Sequence, residues 1–204
     1  MKQAGEAFGV SRETEEKLRA YMALLIRWNA RINLVADAEP DSLWRRHVVD
    51  SMQLVPLVPD IAGPCVDLGS GAGFPGLVLA AATGCEMHLV ESDNRKCAFL
   101  QEAARMLALP GVTVHAARID AVVLPPAMLL TARALAPLPE LLRHAHRILA
   151  PGGVALFPKG RSVAQELTAA AAGWTMRIER FPSVTEPDST ILRLSEISPV
   201  SALA

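Results

Sequence analysis

The residues that could do chemistry are concentrated in one run, Val66-Asp67-Leu68-Gly69-Ser70-Gly71-Ala72-Gly73-Phe74-Pro75-Gly76. An apolar strand that ends in glycines lets the backbone turn tightly and approach a ligand closely. Proline suits the first turn of a helix that follows. Glu91 stands twenty residues beyond Gly71, at the end of the next apolar run. A carboxylate placed there can hydrogen-bond the ribose hydroxyls of a nucleotide lying across the strand ends. The frame Gly71-x-Gly73-x-x-Gly76 also satisfies the dinucleotide fingerprint, so nicotinamide and flavin ligands compete with other nucleotides.

Two features favour S-adenosylmethionine over a dinucleotide. Asp67 lies two residues before Gly69, where its charge can meet an ammonium group and would repel a pyrophosphate. Tyr21 is the only tyrosine and lies far upstream of the glycine run, so the Tyr-Lys pair of a hydride-transferring reductase is missing. Lys159, at the end of a later apolar run and just before Gly160, sits where ligands meet the edge of an α/β sheet. Arg46 and His47 are a further candidate pair on the second helix, as RNA contacts.

The elements that must position these residues can be read from periodicity. Ser11-Arg12-Glu13-Thr14-Glu15 opens a helix with a capping residue and first-turn acids. Leu18, Tyr21, Met22, Leu25, Ile26 and Asn29 continue it as an amphipathic stripe. A second helix begins near Asp41 and closes at Pro56 and Pro59. Beyond Gly63, apolar runs at Cys65–Leu68, Met87–Val90, Val112–His115, Met128–Ala132 and Val154–Phe157 alternate with helical patterns at Pro75–Ala82, Asn94–Leu107, Pro139–Leu149 and Ser162–Ala172. Strand–helix alternation specifies a parallel sheet covered on both faces. Trp174–Phe181 and Thr190–Ser195 read as two strands with no helix between them. The expected fold class is therefore α/β: a Rossmann-like class I S-adenosylmethionine-dependent methyltransferase fold. Its mostly parallel seven-stranded sheet ends in a C-terminal antiparallel hairpin. Residues 1–60 form an N-terminal helical extension, and residues 61–204 form the methyltransferase domain.

Composition narrows the classes. The chain has 204 residues, half of them hydrophobic and a fifth charged, which excludes disorder as the default state. No uncharged apolar run reaches the ~18 residues of a spanning helix, and the opening Met1-Lys2-Gln3-Ala4-Gly5-Glu6 lacks the basic-then-apolar layout of a signal peptide. Cys65, Cys85 and Cys97 have neither the number nor the spacing of a disulfide framework or a zinc cage, so a reducing cytoplasm and no metal are expected. The net charge of −1 opposes a strongly basic nucleic-acid binder. Between His115 and Arg161, however, Arg118, Arg133, Arg143, Arg147, Lys159 and Arg161 face only Asp120 and Glu140, a local excess of four positive charges. The chain has sixteen arginines and four lysines, a bias that suits planar contacts to phosphates and bases.

The segment after the fourth strand limits the methyl acceptor. Exocyclic amine methylation usually places an acid or amide before Pro-Pro-aromatic, where this chain reads Thr131-Ala132-Arg133-Ala134-Leu135-Ala136-Pro137. Cytosine-C5 chemistry needs a thiolate in that region, and all three cysteines lie earlier. Ribose methylation needs an acid where Arg133 stands. An acceptor that already owns a free lone pair survives this elimination. Guanine N7 is one, and small-molecule acceptors remain open, as does a methyltransferase-fold scaffold without turnover.

Several further segments occur in a distinctive order: Trp28-Asn29-x-x-x-Asn33-Leu34, Arg46-His47-x-x-Asp50-Ser51, the glycine run, Arg95-Lys96 with Phe99-Leu100, Arg133-Ala134 and Lys159-Gly160. With them, from about Tyr21 to about Leu194, the chain resembles the RsmG family, formerly glucose-inhibited division protein B, of bacterial 16S ribosomal RNA guanine-N7 methyltransferases. The resemblance implies S-adenosylmethionine as cofactor and the guanine at position 527 as target. The implied partner is 16S rRNA within the small ribosomal subunit or its assembly intermediate, met by a monomer. It implies cofactor contacts at Gly69, Phe74, Ile119, Asp120 and Arg133, with Asp67, Gly71, Gly73 and Glu91 completing that site. It also puts Arg118, Arg133 and Lys159 near the target guanine or its phosphates. One departure is that family members often carry an arginine before the last strand, where this chain has Asp188-Ser189-Thr190.

Overall fold

The computed structural model describes residues 5–37, 39–60 and 63–200. Met1–Ala4 and the first residues after position 60, on which the reading of the N-terminus and of the domain boundary partly rests, lie outside the described residues. Helix α1 (Arg12–Asn29) is capped by the Ser11 side chain, which accepts from the Thr14 N–H, and it buries Leu18, Tyr21, Met22, Leu24 and Leu25. Its exit is fixed by Asn29, whose Oδ1 accepts from the N–H groups of Leu34 at 2.8 Å and Val35 at 3.0 Å.

The expected second helix is present, but its middle is wound differently. It runs as α2 (Pro40–Leu43), a π-helical turn over Trp44–Val49, and α3 (Asp50–Met52). A π turn widens the helix by one residue, an irregularity that recurs at functional sites. Here it carries Arg46 and His47.

The sheet consists of β1 (Cys65–Leu68), β2 (Met87–Glu91), β3 (Val112–Ala116), β4 (Ala127–Ala132), β5 (Leu149–Lys159), β6 (Trp174–Pro182) and β7 (Thr190–Pro199). Their order is β3-β2-β1-β4-β5-β7-β6. The first five strands are parallel, and β7 runs antiparallel to both β5 and β6. β1 and β2 are buried along their whole length, as expected for central strands covered on both faces, and Asp67, His88 and Glu91 are the polar residues they carry into that burial.

Helices α4 (Gly76–Thr83), α5 (Asn94–Met106), α6 (Leu138–Ile148) and α7 (Val163–Ala171) cover the sheet. On one face, Leu18 and Tyr21 of α1 share an apolar cluster with Leu77, Leu89 and Phe99. On the other, Val66, Leu130 and Phe157 pack with Leu142 of α6 and Leu167 of α7. Strand order reverses between β1 and β4, and in an open α/β sheet such a reversal leaves a crevice beyond the carboxyl ends of the strands. No helix among the described residues is long and apolar enough to cross a membrane.

Candidate active site

The glycine run forms the turn from β1 into α4. Gly69 and Gly71 sit at φ of +64° and +55°, a region that side chains other than glycine's rarely adopt. A Cβ on Gly69 would also lie 2.6 Å from Leu135 Cδ1 in the segment after β4. Glu91 ties this loop to the end of β2. Its Oε2 accepts from the Gly71 N–H at 2.9 Å, and its Oε1 accepts from the Asp93 N–H at 2.9 Å. Each oxygen keeps a second lone pair, so Glu91 can hold the loop and still accept from a hydroxyl.

Asp67 lies beneath the loop and is fully buried. Its Oδ1 accepts from the Thr131 hydroxyl at 2.7 Å, while its Oδ2 has no hydrogen-bond partner. A Cβ on Gly76 would approach that oxygen to 2.9 Å, so helix α4 starts directly against the carboxylate. Burial pushes the Asp67 carboxyl up to about 6, against the lowering effect of the Thr131 hydroxyl. The carboxylate expected to meet a ligand's ammonium group thus lies under the glycine loop, with one oxygen unpartnered.

A cleft of about 230 Å³ opens above the loop, lined by Gly69, Ser70, Gly71, Phe74, Ser42, Arg46, His47, Arg133 and other residues. Beside it lies a larger cavity of about 620 Å³. Arg46, His47, Arg133 and Ala134 line both, and so form their common wall. The larger cavity also takes Lys159 and Arg161 from the end of β5, and Glu186, Asp188, Ser189 and Thr190 from the β6–β7 turn.

Arg133 organises that wall. Its Nη1 donates to the carbonyl of Arg46 at 3.0 Å and to Asp50 Oδ2 at 3.3 Å, and its Nη2 meets His47 Nδ1 at 2.8 Å. The His47 ring stacks on Phe74 with centroids 5.0 Å apart, and the guanidinium lies 5.4 Å from the Phe74 centroid. Burial first, and then the charges of Arg133 and Arg46, press the His47 imidazole down to about 4. It is neutral at physiological pH and offers Nδ1 as an acceptor. Asp50 Oδ1 in turn accepts from the Thr185 hydroxyl at 2.5 Å and the Gln53 amide at 2.8 Å, joining the π-helical segment to the β6–β7 turn.

Lys159 is on the cavity wall, but its ammonium turns inward. It donates to the Ala136 carbonyl at 2.9 Å and to Glu166 Oε2 at 2.8 Å, with 9% of its side chain exposed. One ammonium proton remains for another acceptor. Arg118 is exposed and stands outside the lining of both cavities, in the segment after β3 that contacts α6 through Ile119 and Asp120. Of the three cations expected near the target guanine or its phosphates, Arg133 and Lys159 line the larger cavity and Arg118 does not.

The basic stretch after His115 therefore divides. Arg133, Lys159 and Arg161 reach the cavity. Arg147 instead donates to the Ile119 carbonyl at 2.6 Å, and Arg143 lies 4.0 Å from Asp120. They brace the segment that holds Ile119, which packs against the apolar face, and Asp120. Asp50, Thr131 and Glu166 went unassigned in the sequence reading. Only Asp50 carried a signal, three positions after His47 on one helix. Among the described residues, no cluster of three His, Cys, Asp or Glu side chains could hold a metal ion.

This is the fold of S-adenosylmethionine-dependent methyltransferases. It superposes on a SAM-dependent methyltransferase from Aquifex aeolicus with a TM-score of 0.60 at 16% identity, covering 75% of this chain and 92% of that one. A ribosomal protein L11 methylase from Lactobacillus delbrueckii subsp. bulgaricus gives a TM-score of 0.60 at 15% identity, over 74% and 78% of the two chains. These likenesses show the fold alone. Sequence shows the family. The profile described as "GidB: rRNA small subunit methyltransferase G" matches residues 14–191, and the chain belongs to that family. It is 58% identical to the ribosomal RNA small subunit methyltransferase G of Rhodospirillum centenum, covering 95% of this chain and 89% of that protein. It is 55% identical to the protein of the same name from Granulibacter bethesdensis, covering 94% and 90%.

Proposed function

We propose that this chain transfers a methyl group from S-adenosylmethionine to N7 of a guanine in 16S ribosomal RNA, by resemblance the guanine at position 527. The observation that carries this reading is the pairing of two cavities, one lined by the glycine loop and one rich in cations, with Arg133 in the wall between them. The residues fit the cofactor. The unpartnered Asp67 Oδ2 puts negative potential beneath the loop, which suits a sulfonium and an ammonium and opposes a pyrophosphate. Glu91, Ile119 and Asp120 would take the ribose and adenine end. Gly69, Gly71, Gly73 and Phe74 would take the rest.

When bound, the cofactor supplies an electrophilic methyl group. The protein's task is orientation, because guanine N7 already owns a free lone pair and no proton has to leave before transfer. Arg133 would hold guanine O6 or a flanking phosphate. Its charge is partly offset by Asp50, so it does not oppose the positive charge that grows on the purine. Lys159 would use its remaining proton on the same oxygens. Arg46 and His47, in the same wall, would contact RNA, and Arg118 would meet RNA away from the methyl site.

With a net charge of −1, the chain has little long-range pull on naked RNA, and capture depends on local cations and so weakens steeply with salt. The proposed substrate is therefore the small subunit or an assembly intermediate in the cytoplasm, met by a monomer, with the guanine splayed out of its stack. The test is incubation with labelled S-adenosylmethionine and small subunits that lack the modification, followed by mapping of the labelled base. Label on guanine N7 supports the reading. Label on an exocyclic amine or a carbon, label only in metabolites, or no turnover would each replace it.

A further inference from the structure

Helix α1 reaches the glycine loop from below. Tyr21 is fully buried, and its hydroxyl donates to the carbonyl of Ala72, in the middle of the loop and 51 positions away in the chain. Its ring lies 5.4 Å from the Phe74 ring and 6.1 Å from the Phe99 ring. The fit around the hydroxyl is close: a Cβ on Gly73, which sits at φ +87°, would lie 2.7 Å from it.

Phenylalanine would fill this apolar site without the cost of burying a hydroxyl, a cost met only when the group is hydrogen-bonded. Within the same turn, the Gly73 N–H donates to the Ser70 carbonyl at 2.6 Å. The Ala72–Gly73 peptide is thus held at both ends, its carbonyl by Tyr21 and its N–H by Ser70. Burial raises the phenol well above its ordinary range, so it stays a neutral donor at every working pH.

From this geometry we infer that Tyr21 is a positioning residue for the methyl-donor site, orienting the glycine loop through the Ala72 carbonyl. The inference rests on the reading that this loop holds S-adenosylmethionine. Loss of the hydroxyl frees one loop peptide and leaves the aromatic packing in place. The effect should therefore fall on cofactor affinity and not on the acceptor or on the chemical step.

The experiment compares Tyr21→Phe with Phe99→Leu, a packing control that leaves the hydroxyl in place. Calorimetry with S-adenosylhomocysteine and steady-state methylation of small subunits are both measured. Tyr21→Phe should weaken S-adenosylhomocysteine binding and raise KM for S-adenosylmethionine by about tenfold, the scale of one ordinary hydrogen bond. The kcat at saturating cofactor and KM for subunits should stay within about twofold of wild type. Phe99→Leu should lower Tm with cofactor affinity unchanged. Unchanged affinity in Tyr21→Phe overturns the inference. So does a parallel fall of affinity and Tm in both variants, or a Tyr21→Phe chain that does not fold, since the hydroxyl would then serve folding. If wild-type protein binds no S-adenosylhomocysteine at all, the cofactor reading fails instead.

Discussion

Arg133 reaches back 86 positions to place its Nη2 at 2.8 Å from the Nδ1 of His47. The same guanidinium bonds Arg46 and Asp50, so one planar cation spans acceptors that a lysine ammonium cannot reach together. Arg133→Lys should therefore keep the charge and still lose the wall between the two cavities. The expected outcome in single-turnover methylation of small subunits is a fall in kcat/KM of about 100-fold or more, with folding retained by circular dichroism. A loss smaller than threefold would mean that charge alone suffices there.

His47 is held near 4, so it does not titrate at neutral pH and above. The proposed transfer needs no base. Between pH 6.5 and 9 the single-turnover rate should change less than about twofold. A log-linear rise with pH would mean that a titrating base takes part. Below neutrality a different effect enters. Relative to the ordinary value of 6.5, the folded imidazole resists protonation, so its share of the stability is complete above 6.5 and is lost as the pH falls toward 4.

Asp67 acts with the opposite sign. Its folded value of about 6 lies above the ordinary 3.8. Its contribution is therefore most favourable below 3.8 and is lost as pH rises through 6. At neutral pH the buried charge costs up to about 3 kcal/mol. Asp67→Asn should raise Tm by several degrees at pH 7.5 and give no gain at pH 4, while weakening S-adenosylmethionine binding about tenfold or more. Scanning calorimetry at both pH values, with a binding titration at the higher one, checks both halves. A variant that is less stable at pH 7.5 would show that the carboxylate is satisfied after all.

Lys159→Ala would leave Glu166 without its ammonium partner in a site where little of either side chain is exposed. Breaking such a pair costs about 3–5 kcal/mol when fully buried, and somewhat less is expected here. Ser162 Oγ and the Leu138 N–H still bond Glu166, each at 2.8 Å. Urea unfolding should show that loss, and Lys159→Ala/Glu166→Gln should recover part of it. RNA methylation should fall in both variants, with S-adenosylhomocysteine affinity within about twofold. Full recovery of methylation along with stability would confine Lys159 to folding.

The central strands β1, β2 and β4 are legible because burial on both faces leaves mostly apolar runs, whereas β3 and β6 are partly exposed. The eleven-residue β5 is legible only at its core, Val154–Phe157, because Pro151-Gly152-Gly153 look like a break; the strand bulges there, with Gly152 at φ +81° and the five steps from Leu149 to Val154 set against two on β4. The π-helical turn at Trp44–Val49 could not be read, since apolar spacing of three and four residues is the same on either side of it. The glycine loop was plain in the sequence, but the burial of Asp67 was not, because alternation along β1 does not show that α4 begins against its carboxylate. The partners of Lys159 were hidden for a similar reason. Glu166 lies on a different element, and nothing local couples a strand end to a helix across a turn. Tyr21 was set aside for its distance along the chain, although α1 folds back beneath the loop.

The Thr185–Asp50 hydrogen bond joins residues 135 positions apart, and its consequence concerns the order in which the chain is made. Chains emerge from the ribosome N-terminus first. The segment carrying Arg46, His47 and Asp50 is exposed early and must wait for the β6–β7 turn before its last partner arrives. The wall of the site closes only after Thr185, 135 positions later, has been synthesised. A nascent chain that has not yet extended through β6 and the turn after it would hold the Arg46–Asp50 segment in place without that tether.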